Sequence, residues 1–262
     1  MPKLMNFIYF CPMYKFDAAV NTEKCIGWIR NWFEENGKGC TAVLGLSGGK
    51  DSTVTAALLA KALGPDRVIG VAMPDEGQSL NEADEIAKYL GIRYFNISVS
   101  EACRATREAL LAAGIEPSAQ CVQNIPPRER MKVLFAVAQC TNGRPVNTCN
   151  LSEDYVGYAT LFGDAAGSFS VLGMMTVTEV LAIGDYLGLP SKWVHKTPDD
   201  GLPNSSPDEI KLGFTYAELD RYIREGIEPA PEKKEKIDRL NRINRFKTEI
   251  LRLPVYMPEI GD

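Results

Sequence analysis

The string Ala42-Val43-Leu44-Gly45-Leu46-Ser47-Gly48-Gly49-Lys50-Asp51-Ser52-Thr53 constrains the fold of this chain more than any other segment. A continuous apolar run ends in two adjacent glycines. A helix-compatible segment with Val54, Leu58 and Ala62 on one face starts at once and stops at Gly64-Pro65. Strand, tight turn and helix in direct succession form the opening unit of an α/β sheet. The turn brings backbone amides to a helix amino terminus, where the helix dipole favours anions. The spacing is not G-x-x-x-x-G-K-[ST], because Asp51 follows Lys50, and it is not G-x-G-x-x-G. Gly48 and Gly49 alone are compatible with a plain tight turn, but the full Ser-Gly-Gly-x-Asp-Ser string favours an anion-binding nest.

The alternation continues downstream. A second apolar strand over 67–73 leads to a loop in which Ser79 and Glu82 match a capping box for a helix reaching Leu90, and a third strand follows over 92–99. The pattern then predicts a helix from Ser100 to near Gly114. A longer helix follows through Arg130, Leu134, Phe135 and Ala138, with Pro126 and Pro127 in its first turn. A short strand over 146–149 precedes a Gly-, Ser- and Ala-rich stretch, 152–173, read as loop and short helix lining a site. Helices over 176–187 and 232–253 flank a Gly/Pro-rich stretch, 197–207, expected to be mobile. The last helix should dock Ile237, Leu240, Ile243 and Ile250 on the body and leave its Lys and Arg residues solvated; the sharper alternative brings Arg245 and Lys247 to ligand phosphates. The expected fold is α/β: a doubly wound, mainly parallel five-stranded sheet with helices on both faces plus C-terminal helices. It forms one domain over 1–262, with an N-terminal helix within 16–40 and a helical appendage over 215–253.

Composition narrows the function. A net charge of -5 gives no general attraction to nucleic acid or anionic lipid, so small molecules are the expected ligands. Seven scattered cysteines form no C-x-x-C pair, and the sole histidine is His195, so chemistry based on zinc, redox dithiols or histidine clusters is not expected. The amino terminus has no cationic stretch leading into a long apolar run, and eighteen uncharged apolar residues nowhere follow one another. A soluble, cytoplasmic protein is therefore expected.

An acidic residue inside a phosphate cradle is unfavourable unless a cation lies between carboxylate and phosphate, so Asp51 implies Mg²⁺ and a second carboxylate. Ser47-Gly48-Gly49-Lys50-Asp51-Ser52 resembles the pyrophosphate loop of the N-type ATP pyrophosphatases, which cut ATP between its α and β phosphates. Further motifs resemble the ammonia-dependent NAD synthetase family within that group. They are Asn124-Ile125-Pro126-Pro127-Arg128-Glu129-Arg130, similar to the family's helix start; Asn147-Thr148-Cys149-Asn150-Leu151-Ser152-Glu153 with Gly163-Asp164; and Lys196-Thr197-Pro198, Pro207-Asp208-Glu209 and Leu212-Gly213-Phe214-Thr215-Tyr216.

The resemblance implies a catalytic set of Asp51, Glu153, Lys50 and Lys196, with Asp51 and Glu153 as Mg²⁺ ligands. It implies ATP binding by Leu46, Ser47, Gly48, Gly49, Lys50, Asp51, Ser52, Thr53, Gln78 and Thr148, and deamido-NAD binding by Asn124, Arg128, Asp164 and Lys247. The implied reaction adenylates the nicotinate carboxylate, releases pyrophosphate, and lets ammonia displace AMP. A homodimer is implied as well, with the ammonia free or delivered by another protein. The chain departs from the family at Leu161, Ser168, Val177, Asp199 and Phe246. Loss of a lysine at Val177 would require Lys50, Lys196 or Lys247 to compensate on the phosphates. Two alternatives stand beside this reading: adenylation of a different carboxylate, and a non-catalytic nucleotide sensor.

Overall fold

A computed structural model describes residues 10–11, 13–78, 81–196, 208–251 and 255–260. Along it run α1 (Ala18–Asn36), β1 (Thr41–Gly45), α2 (Lys50–Leu63), β2 (Val68–Ala72), α3 (Asn81–Leu90), β3 (Arg93–Asn96), α4 (Ser100–Ala112), α5 (Ala119–Cys140), β4 (Gly143–Asn147), α6 (Leu151–Val156), β5 (Phe169–Ser170), α7 (Val177–Tyr186), α8 (Ser191–Val194), α9 (Asp208–Leu212), α10 (Tyr216–Glu225) and α11 (Pro231–Leu251).

The five strands form a parallel sheet in the order β3-β2-β1-β4-β5. Because successive strand side chains alternate faces, β1 serves two cores. Ala42 and Leu44 join Ile29, Phe33, Leu58 and Ile183 on one side. Val43 joins Ile69, Val71, Cys103, Leu134 and Ala138 on the other. A third apolar cluster, with Leu151, Val156, Phe214, Leu219, Ile223 and Ile237, ties α6 to α10 and α11. From β1 the chain winds outward through β2 to β3, then returns to lay β4 on the opposite side of β1. Strand order therefore reverses between β1 and β4, and open α/β sheets form their ligand crevice beyond the carboxyl ends of such a pair.

Three expectations need correction. Helix α5 begins at Ala119, where the Ser118 hydroxyl accepts from the Cys121 amide at 3.2 Å, so Pro126 and Pro127 sit inside the helix and not in its first turn. Strand β4 covers Gly143–Asn147 instead of 146–149; its Pro145, lacking an N–H, made that stretch read as loop. The 152–173 stretch holds α6, the short helix expected there, and also β5, a two-residue strand too short to show a period. Ser79 and 197–207 lie outside the described residues. Among the described residues no helix is long and apolar enough to cross a membrane.

A buried ion pair braces the layer behind the crevice. Arg224 of α10 donates to Glu179 of α7 through Nε at 2.7 Å and Nη2 at 2.8 Å, and Nη2 also reaches the Met174 carbonyl at 2.6 Å. Tyr14 donates to the same carboxylate at 3.0 Å. Removing the cation would leave a buried carboxylate without its counter-charge, so Arg224→Met should cost about 3–5 kcal/mol. Urea unfolding of the two proteins checks this, and a loss under about 1 kcal/mol would mean the pair carries little net stability.

Candidate active site

The turn after β1 is folded by its own hydroxyls. Leu46 prolongs the strand by donating its amide to the Val71 carbonyl at 2.9 Å. Ser47 Oγ accepts from the Gly49 amide at 3.2 Å, while Ser52 and Thr53 donate to the Gly49 carbonyl at 3.1 and 2.7 Å. Ser52 and Thr53 are buried behind the turn. Gly48 has φ +89°, and a Cβ there would lie 3.1 Å from the Glu82 side chain, so glycine is required both by the backbone and by the space. Gly49 caps α2, whose first-turn amides have no intrahelical acceptor and face the mouth of the crevice.

Next to this turn lies a charge cluster. Lys50, only 5% exposed, donates to Asp51 Oδ2 at 2.9 Å, and Asn150 Nδ2 donates to Asp51 Oδ1 at 3.0 Å. Asn150 also caps α6: its Oδ1 accepts the Glu153 amide at 3.0 Å, while Glu153 Oε2 accepts the Asn150 amide at 3.4 Å. The Glu153 carboxyl is pushed well above the usual carboxylate range, chiefly by burial and then by the charge of Asp51. Burial alone would lower the Lys50 ammonium, but Asp51, Glu153 and Asp208 together hold it above its ordinary value. Asp208, also buried, accepts from the Tyr158 hydroxyl at 2.9 Å. One buried cation thus faces three carboxylates. The sequence placed Asp208 only within a helix motif, and no local spacing links it to Asp51; the contact exists only in the tertiary fold.

A second cluster gathers the residues expected to hold the acceptor. Asn124 Oδ1 accepts from Thr160 Oγ1 at 2.9 Å, and Arg128 Nε donates to the Leu161 carbonyl at 3.3 Å. Asp164 accepts the Thr160 amide at 2.9 Å, and Lys247 Nζ donates to the Gly157 and Ala159 carbonyls at 2.8 and 3.0 Å. All four converge on the 157–164 loop. Lys247 thus holds backbone in this structure, and Ile243, expected to dock, is 50% exposed. The loop leaves α6 at Gly157, with φ +68°, where a Cβ would fall 2.1 Å from Asn244 Cβ. Asn244 uses that space to donate to the Val156 carbonyl at 3.1 Å, and Asn241 donates to Tyr155 at 2.7 Å.

The remaining expected residues lie around the rim. Lys196 pairs with Glu82, beside Gly48 and away from Asp51. Gln78 accepts from Arg130 at 2.7 Å and from the Asp75 amide at 3.0 Å, and Arg130 also donates to the Met73 carbonyl at 2.9 Å. Arg130 therefore fixes the loop after β2. Thr148 follows β4 at the switch point, half-buried. Of the family departures, Val177 packs with Leu151 and Val156, Leu161 and Ser168 are half-buried, and Phe246 is exposed; Asp199 lies outside the described residues.

The model of the NAD synthase family matches residues 21–252. An NH(3)-dependent NAD(+) synthetase of Carboxydothermus hydrogenoformans is 35% identical over 89% of this chain and 96% of its own. Among solved structures, an NMN synthetase from Francisella tularensis superposes with a TM-score of 0.82 at 28% identity, over 89% of this chain and 96% of that one. An NAD+ synthetase from Burkholderia pseudomallei gives a TM-score of 0.74 at 26% identity, over 95% and 96%.

The Glu153 environment has a pH consequence in the metal-free protein. A carboxyl with a raised folded pKa contributes stability below its unfolded value, near 4.5, and loses that contribution as pH rises through the folded value. Glu153→Gln removes the buried like charge while keeping the shape. Thermal melts should show the variant more stable than the parent above roughly pH 5 and equal to it near pH 4. A variant that melts lower at neutral pH would make the Glu153 carboxylate a structural anchor.

Proposed function

The chain belongs to the NAD synthase family, and from that membership and the geometry of its crevice we propose how its residues divide the work of an ammonia-dependent NAD synthetase. The enzyme is a ligase: it amidates the nicotinate carboxylate of deamido-NAD with ammonia while ATP is converted to AMP and pyrophosphate. The observation that carries the residue assignment is the Ser47–Thr53 turn at the switch point, with Asp51 and Glu153 brought to one side of it.

The nucleotide triphosphate lies over the first-turn amides of α2, in contact with Ser47, Gly48 and Gly49. The acceptor carboxylate forms a bond to the α-phosphorus as the bond to the β-phosphate oxygen breaks. Ammonia then attacks the acyl carbon, and AMP leaves. Asp51 and Glu153 fit Mg²⁺: they are hard oxygen donors, both within electrostatic reach of Lys50, and Asn150 ties them together by bonding each. Among the described residues no group of three or more His, Cys, Asp or Glu could hold a metal, so phosphate and water would have to complete the shell of an ion held by Asp51 and Glu153. When bound, the metal neutralises charge building on the departing pyrophosphate. Lys50 supplies a fixed cation beside that charge, and Lys196, on exchanging Glu82 for phosphate, supplies a second. Asn124, Arg128, Asp164 and Lys247 shape the 157–164 loop that presents the acceptor. A homodimer fits the surface: exposed Phe135 lies seven residues from Arg128, on the same face of α5, and Leu111 and Ile115 are exposed at the end of α4. The expected compartment is the cytoplasm.

A second reading changes the acceptor to nicotinate mononucleotide. It is favoured by the likeness to the Francisella NMN synthetase, by Leu161 and Phe246 standing where family members present polar groups to the dinucleotide, and by Lys247 being engaged with carbonyls. Assays with ATP, Mg²⁺ and ammonium, offering each acceptor separately, decide between the two. AMP should form with the dinucleotide acid at a higher kcat/KM, and the reverse ranking selects the mononucleotide. Formation of ADP would overturn both.

Asp51→Asn removes the carboxylate that repels the triphosphate together with a metal ligand. Its ATP affinity should depend less on Mg²⁺ than that of the parent, with turnover lower by roughly two to three powers of ten. Titrations with Mg²⁺ and with a chelator check this, and equal metal dependence in both proteins removes Asp51 from the metal site. Phe135→Glu should convert the dimer to monomers in sedimentation; an unchanged mass would place the interface elsewhere.

A further inference from the structure

The charge cluster has a further wall that no motif marks. Tyr216 opens α10 and is 3% exposed. Its position is fixed on both sides: its amide donates to Glu209 Oε1 at 2.7 Å, and the preceding Thr215 caps α10 in a box with Glu218. The Lys50 ammonium stands 5.6 Å from the centre of the Tyr216 ring, which orients the phenol within the cluster. Glu153, Asp208 and Asp51 all lie within electrostatic reach of the phenol. Yet the hydroxyl, fully buried, meets no hydrogen-bond partner among the described residues.

A buried hydroxyl without a partner destabilises the free protein, and the backbone contact to Glu209 together with the ring's position beside Lys50 fixes the setting of this one. Its surroundings are charged, so the missing partner is polar. The hydroxyl can donate, and Lys50, which lies over its ring, pairs with Asp51 in the turn over which the proposed function seats a triphosphate. A buried polar group left unsatisfied is completed by a water, an ion or a ligand, and beside this turn the ligand that brings acceptor oxygens is the triphosphate.

We propose that the Tyr216 hydroxyl donates a hydrogen bond to a phosphate oxygen of the bound nucleotide, making Tyr216 a binding residue of the pyrophosphate site. This rests on the ATP-dependent reading of the site. It also gives α10 a direct task at the nucleotide site.

Tyr216→Phe removes one oxygen and tests the assignment with two effects of opposite sign. The free variant should melt at the same temperature as the parent or higher, because an unsatisfied group is gone. In calorimetric titrations Mg·ATP and Mg·pyrophosphate should both bind about tenfold more weakly, as for the loss of one hydrogen bond to a charged group, with AMP affinity unchanged. Equal Mg·ATP affinity in the two proteins overturns the inference, as does an equal loss for AMP. A lower melting temperature of the free variant overturns it too, since the hydroxyl would then serve the fold. Failure of the parent protein to bind Mg·ATP would instead overturn the nucleotide reading of the site.

Discussion

Everything near the crevice is organised around one buried ammonium, Lys50, held among Asp51, Glu153 and Asp208. An ammonium taken out of water needs counter-charge close by, and each carboxylate brought in to supply it adds its own desolvation cost. Three carboxylates crowd one lysine, and the Glu153 carboxyl is raised, chiefly by its own burial and then by the charge of Asp51. Such an arrangement persists only because the surrounding packing fixes it, and it favours arrival of a cation over any internal rearrangement. The site is a place prepared for charge, not one at rest.

The fixing is done mostly by a helix of six residues. Helix α6 is too short to be stable alone, since one or two turns cannot repay the cost of nucleation. Asn150 caps its start and reaches Asp51 with the same side chain. Ser152 donates to Asp220 at 2.5 Å, and Asp220 in turn accepts from the Thr178 amide at 2.8 Å and its hydroxyl at 2.6 Å, so α6, α7 and α10 share one buried carboxylate. At the other end Asn241, Asn244 and Lys247, at successive intervals of three along α11, take the carbonyls that the helix end leaves open. Glu153 is thereby set by α2, α10 and α11, none of which adjoins it in sequence.

What the sequence displayed and what it hid divide along the same line. The turn after β1 was legible because its requirements are local: a strand that ends, glycines that admit positive φ, a helix whose amides lie bare. The parallel sheet was legible because buried strands read as apolar runs. Strand β5 left no trace, since two residues make no period and their burial is imposed by α1. The start of α5 was misread because prolines usually mark a first turn, and here tertiary packing keeps them inside. Asp208 and Tyr216 showed only as members of longer motifs, Lys247 only as an expected ligand contact, and Asn241 and Asn244 gave no signal of their own. An acid, a phenol and two amides acquire meaning only when the chain returns to the crevice from its far end.

Because α6 continues directly into the 157–164 loop, Glu153 and that loop belong to one continuous segment. Tyr158 reinforces that unity by donating from the loop to Asp208, on the charged side of the crevice. On the assignment proposed above, an acceptor seated on the loop would present its carboxylate to the α-phosphorus in a register that α6 sets. On that assignment, discrimination between a mononucleotide and a dinucleotide acid would fall to side chains such as Leu161, Ser168 and Phe246 and not to the loop backbone. A family can vary its acceptor while retaining the Ser47–Thr53 turn and the carboxylates around Lys50; this chain keeps both, and it departs from the family pattern at Leu161, Ser168 and Phe246 and also at Val177 and Asp199.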